Sequence, residues 1–96
     1  MKFNGTKFQI KVWRYLMKIP RGSVKTYSQV AKGIGEPFAV RAVANAIGKN
    51  PNPPIIPCHR VIPSNGSIGN YRYGRKAKKD LLEHEGHSFN GDLFFN

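Results

Sequence analysis

Proline is concentrated in one part of this chain. Five of its seven prolines fall between Pro51 and Pro63. Proline fixes its own φ, lacks an N–H and pushes the preceding residue out of the helical region. Asn50-Pro51-Asn52-Pro53-Pro54 is therefore excluded from any helix and is expected to run rigid and extended, with Ile55 and Ile56 anchoring it in the core. Helical signals are confined to the residues on either side. Ninety-six residues allow one domain, 1–96, with a thin core. At 40% hydrophobic and 11% aromatic residues, the chain is apolar enough to fold.

Before the prolines, Thr6 is placed to cap a helix over 7–19, with Phe8, Val12, Tyr15, Leu16 and Ile19 as its apolar face. Pro20-Arg21-Gly22 ends it. Thr26 is placed to cap a short helix over 27–32, which Gly33-Ile34-Gly35 breaks. A third helix is expected over 37–47, started by Pro37 and buried along Val40, Val43, Ala44 and Ile47. Two short helices joined by a glycine-containing turn suggest a helix-turn-helix, a weak signal alone. After the prolines, Ser64-Asn65-Gly66-Ser67 reads as the turn of a small hairpin and Ile68–Gly74 as a Gly- and Tyr-rich loop. A last helix is expected over 75–85, with Leu81 and Leu82 inward and Gly86 as its stop. The tail, with Phe89, Leu93, Phe94 and Phe95, either packs back on the domain or stays mobile. The expected fold is mostly α: a small helical domain with a helix-turn-helix and a short hairpin or loop region.

Charge narrows the functional classes. The first 79 residues hold all 16 basic residues and one acid, Glu36, for a net +15. Such a stretch repels itself, and a phosphate backbone relieves the repulsion. Nucleic acid is the expected partner. There is no apolar run long enough to span a membrane and no signal-peptide pattern near Met1, so an intracellular, reducing setting is expected, cytoplasmic at the nucleoid or nuclear. With a single cysteine, an internal disulfide is excluded.

That cysteine, Cys58, has two readings. Most lone cysteines are small buried apolar residues. Here it follows a stiff segment, precedes His59 and Arg60, and belongs to a cationic chain, which favours a nucleophilic thiolate. In an extended segment His59 would face away from Cys58, so a turn or a bridging water would be needed to connect them. His84 and His87 lack the partners of a zinc site, and no metal is expected.

Pro57-Cys58-His59-Arg60-Val61-Ile62-Pro63 resembles the active-site motif of the O6-alkylguanine-DNA alkyltransferases, also called methylated-DNA–protein-cysteine methyltransferases. Thr26-Tyr27-Ser28-Gln29-Val30-Ala31 is similar to the first helix of their helix-turn-helix. Arg41-Ala42-Val43 resembles the start of their recognition helix. Asn50-Pro51, Gly69-Asn70-Tyr71 and His84-Glu85-Gly86 follow in the family's order, so the resemblance runs from about Phe8 to Gly86.

The resemblance implies single-turnover DNA repair. Cys58 would take the alkyl group of O6-alkylguanine, and of O4-alkylthymine, and keep it as a thioether, with no cofactor. His59 would remove the thiol proton through a water, Glu85 would orient His59, and Asn50 would tie the turn before the cysteine. Tyr27 would help extrude the nucleotide and donate to the leaving guanine. Arg41 would fill the gap in the duplex. Thr26 and the small residue Ala42 would lie against the minor groove. Tyr71 and Asn70 would wall the base pocket, with Ile47 and Ile68 as its apolar lining. The protein would act as a monomer on double-stranded DNA.

Most family members carry an additional N-terminal α/β domain, whereas this chain starts almost at its first helix. Alkyltransferase-like proteins of similar size replace the acceptor cysteine and only sense lesions; they supply the alternative function. The bulky Tyr73 departs from the small residues found there in many relatives and is expected to narrow the tolerance for large alkyl groups.

Overall fold

The computed structural model of the chain describes residues 3–91 and 93–95, with side chains described through residue 91. Two reciprocal capping boxes set its first half. Thr6 accepts from the Gln9 N–H while the Gln9 side chain accepts from the Thr6 N–H, opening helix α1 (Lys7–Leu16). Thr26 and Gln29 repeat the arrangement at α2 (Tyr27–Gly33). Each box satisfies two N–H groups that a helix start otherwise leaves without partners.

α1 ends at Leu16, a turn short of the expected 19, yet Ile19 still reaches the core. Its buried face is Val12, Trp13 and Leu16. Trp13 was missing from the expected face. It is 2% exposed, and its indole N–H donates to the Ala46 carbonyl at 2.8 Å, so a polar bond as well as packing docks α1 on the third helix. That helix, α3 (Val40–Gly48), starts three residues later than expected, because Pro37 and Phe38 lie in the preceding turn. Val43, Ala46 and Ile47 are its buried residues, while Val40 and Ala44 are half-buried. α2 and α3, joined across Gly35 (φ +79°), form the helix-turn-helix pair. Gly33 permits the close α1–α2 contact: a Cβ there would stand 2.3 Å from the Tyr15 ring.

The proline segment departs from expectation. It folds into turns instead of running extended, because Asn50, 1% exposed, holds both sides of it. The Asn50 amide N–H donates to the Ile56 carbonyl at 2.7 Å, and its oxygen accepts from the Asn52 N–H at 2.8 Å. Ile56 is fully buried, whereas Ile55 is 58% exposed and anchors nothing. A single 3-10 turn (Cys58–Arg60) follows, then β2 (Val61–Ile62). β2 pairs in parallel with β1 (Lys25–Thr26), Lys25 opposite Val61 and Thr26 opposite Ile62. The expected turn forms at Ser64–Asn65, with a single bridge residue at Ser67, while β2 finds its parallel partner 36 residues earlier in the chain. The hairpin lies in the tail: β3 (Ser88–Asn90) pairs antiparallel with β4 (Leu93–Phe95). The last helix, α4 (Arg75–His84), buries Leu82 and, unexpectedly, Lys78.

Candidate active site

The parallel β1–β2 pair makes the site. It sets the start of α2 beside the strand leaving Cys58, which brings Tyr27 to the cysteine across 31 positions of sequence. Cys58 is 7% exposed and lines a cavity of about 410 Å³. Tyr27, Ile47, Asn50, Asn70 and Tyr71, all expected at the site, share that lining with it. Ala44, Asn45 and Gly48 of α3, with Pro53 and Arg72, also line the cavity and were not foreseen there, and Arg72 Nη2 donates to the Gly48 carbonyl at 3.2 Å. Ile68 is not in the cavity. It is fully buried and belongs to the core behind the loop. Tyr73 lies outside as well, 62% exposed and edge-on to Tyr71 with ring centres 5.7 Å apart, so it does not restrict the cavity directly.

Behind Cys58 stands a buried ion network. His59 Nε2 lies 2.9 Å from Glu85 Oε2. Arg60 donates from Nε to Oε1 at 3.0 Å and from Nη2 to Oε2 at 2.9 Å, a two-pronged grip on the same carboxylate. Its third donor, Nη1, reaches the Ile19 carbonyl at 2.8 Å and secures the turn after α1. Arg60 was not foreseen as part of the site. The only hint was its place beside His59 in the cysteine motif. His59 was expected to face away from Cys58 in extended chain, but the 3-10 turn removes that constraint.

The electrostatics assign roles within this network. Burial alone would raise the Glu85 carboxyl, but the hydrogen bonds from Arg60 and His59 outweigh it and bring the group down to about 2. Glu85 is therefore an ionised acceptor, so His59 Nε2 carries the proton it shares with Glu85. The basic atom of the ring is then Nδ1, which is buried and has no hydrogen-bond partner among the described residues. Burial also lowers the pKa of His59, against the pull of Glu85, and keeps the imidazole neutral.

Burial pushes the Cys58 thiol up, and Asn50, Lys78 and Arg72 offset only part of the rise. The expectation of a resting thiolate fails here: desolvation beats the cationic setting. The sulfur waits as a thiol beside a neutral base. Burial, with Cys58 next, likewise raises the Tyr27 phenol and takes Tyr71 to about 12, so both remain donors.

Three expected DNA-contact residues lie away from the cavity lining. Thr26 is the α2 cap, while Arg41 and Ala42 are exposed in the first turn of α3. Residues 7–87 match the family described as 6-O-methylguanine DNA methyltransferase, DNA binding domain. The chain belongs to this family. Among proteins similar to this chain is a probable methylated-DNA–protein-cysteine methyltransferase of Acanthamoeba polyphaga mimivirus. It is 51% identical over 85 residues, which are 88% of this chain and 56% of the relative. The inducible methylated-DNA–protein-cysteine methyltransferase of Bacillus subtilis is 49% identical over 85 residues, 88% of this chain and 48% of its own. Mycobacterium tuberculosis OGT in complex with DNA superposes with a TM-score of 0.85 at 45% identity, over 88% of this chain and 52% of that one. Schizosaccharomyces pombe Atl1, solved with damaged DNA containing O6-carboxymethylguanine, gives 0.75 at 32% identity, over 96% and 89%. The chain spans about half the length of the curated relatives it matches.

Proposed function

We propose that this chain binds double-stranded DNA through its helix-turn-helix, in the minor groove, and moves the alkyl group of O6-alkylguanine, or of O4-alkylthymine, onto Cys58. The observation that carries this reading is the buried thiol in an open cavity, backed by a neutral His59 held by an ionised Glu85. Arg41, exposed on the first turn of α3, enters the duplex and fills the place of the extruded nucleotide. Extrusion costs a few kcal/mol, less at a weakened pair. His59 Nδ1 takes the thiol proton through a water. The sulfur attacks the alkyl carbon in line, a C–S bond forms, and the C–O bond breaks. Tyr27, still protonated, donates to the departing guanine, while Asn50 holds the turn that aims the sulfur. A thioether does not leave again, so each molecule acts once. The protein acts as a monomer in a reducing compartment, where its one cysteine remains a thiol.

The likeness to Atl1 over nearly its whole length favours a second reading, recognition of the lesion without transfer. Intact-mass measurement after incubation with duplex carrying O6-methylguanine separates the two. Transfer predicts one methyl adduct per chain, located on Cys58 and absent in Cys58→Ser. Tight binding of the methylated duplex with unchanged mass would establish the second reading.

A further inference from the structure

Lys78 is the one charged side chain fully shielded from solvent among the described residues. The proposed chemistry makes no use of it. Its Nζ donates to the Val61 carbonyl at 2.7 Å and lies 3.3 Å from the Asn70 carbonyl. Val61 begins the strand leaving the cysteine turn, and Asn70 is in the loop that walls the cavity. A methionine or leucine four residues before Leu82 would pack the same face of α4 without desolvating an ammonium. What only a lysine adds is a set of donors shared between two segments.

The loop is shaped to receive it. Gly69 has φ +79°, and a Cβ there would stand 2.7 Å from the Pro63 ring and 3.4 Å from Lys78 Nζ. The loop backbone thus lies directly on Pro63 and on the ammonium. Beyond it come Tyr71, against the cavity, and Arg72, which reaches across to Gly48. The ammonium also faces the sulfur electrostatically. Burial brings Lys78 down to about 8, and a thiolate at Cys58, once formed, opposes the drop.

We propose that Lys78 is a positioning residue: its ammonium ties the loop bearing Asn70 and Tyr71 to the strand after Cys58, and so sets the wall of the cavity that receives the extruded base. The rate readout below rests on the alkyl-transfer reading; the proteolysis readout does not. Lys78→Met keeps the side-chain length and removes the charge and the donors. With duplex saturating, this variant is expected to transfer methyl at least about tenfold more slowly than the parent, with duplex Kd within about twofold, because misplacing the wall spoils alignment more than binding. Tryptic cleavage after Arg72, in the released loop, is expected to run at least about fivefold faster, with cleavage after Lys11 and Arg14 in α1 unchanged. Equal acceleration at all three sites would mean that Lys78 serves only general stability, and unchanged cleavage after Arg72 would mean that it holds no loop; either overturns the proposal. Should Lys78→Met fail to fold, Gly69→Ala decides. It leaves the lysine in place, and its Cβ, 2.7 Å from the Pro63 ring, drives the loop off Pro63 and with it off the ammonium, so the same two changes are expected, and their absence overturns the proposal. Were the parent to yield no methyl adduct, the transfer reading would fall, while the Arg72 cleavage would still judge the clamp.

Discussion

The chain before Asn50 and the chain after it are held together by different means. Residues 7–48 are three helices locked by apolar faces: Val12, Trp13, Leu16, Val30, Ala31, Val43, Ala46 and Ile47. Residues 50–74 also send Ile56, Val61, Ile62 and Ile68 into the core, but they hold little regular structure, and polar side chains add directional grips on backbone carbonyls and one carboxylate. Asn50 grips Ile56, Arg60 grips Ile19 and Glu85, and Lys78 grips Val61. Apolar packing is non-directional and absorbs small changes. A hydrogen bond to one carbonyl fixes position and direction. Cys58 lies in the half where directional bonds are added, and the helix-turn-helix lies in the half held mainly by packing.

Substitutions in the two halves should therefore part stability from reactivity. The largest effect is expected at His59. Replacing it with glutamine removes the base, and single-turnover transfer at neutral pH should slow by about 10²- to 10⁴-fold with duplex affinity retained. A smaller change would mean that the thiol loses its proton by another route. Next comes Leu16→Ala in the packed half, expected to cost about 2–5 kcal/mol in urea unfolding while the folded fraction transfers normally. Asn50→Ala should reverse that pattern. It leaves the buried Ile56 carbonyl without its donor, costs about 1–3 kcal/mol, and slows transfer more than the stability loss accounts for. If the two variants lose activity in proportion to stability, the contrast between the halves is broken.

Acid sharpens the same comparison. Glu85 sits at about 2 against an ordinary 4.5, so its contribution to stability is complete above pH 4.5 and is lost as the pH falls through about 2. His59, kept neutral by burial, also opposes folding once it must charge below its ordinary range. The urea midpoint of the parent should fall more steeply than that of Glu85→Gln between pH 5 and pH 2.5. Parallel curves would mean that Arg60 and His59 draw no stability from the carboxylate. The smallest effect is expected at Thr26→Ala, which removes a cap from α2 and should cost about 1 kcal/mol in thermal unfolding.

The same division governs what could be read from the sequence. The starts of α1 and α2 were legible because Thr6 and Thr26 act through neighbours three residues away. The family motifs led to Cys58, His59, Glu85, Asn50, Tyr27 and Tyr71, and the structure gathers these residues around the cavity and the network behind it. Trp13 was passed over because it sits beside the Val12–Leu16 stripe, and its bond to Ala46 is a property of the packed pair of helices. The turns of 50–57 were read as extended chain because the proline rules forbid a helix without naming the turn that a buried asparagine will impose. Lys78 looked like one more cation among Lys76 and Lys79. Its spacing of four from Leu82 suits the inward face, but its carbonyl partners, 17 and 8 residues earlier, lie in irregular chain whose path the sequence pattern does not reveal. Arg60 and the parallel β1–β2 pair were hidden for the same reason.

The docking of α1 on α3 has one further consequence. Trp13 is the only tryptophan in the chain, and its indole is pinned to α3, the helix that carries Arg41 in its exposed first turn. Its emission is an intrinsic, label-free gauge of how that helix is seated, so engagement with a duplex can be followed optically in the unmodified protein.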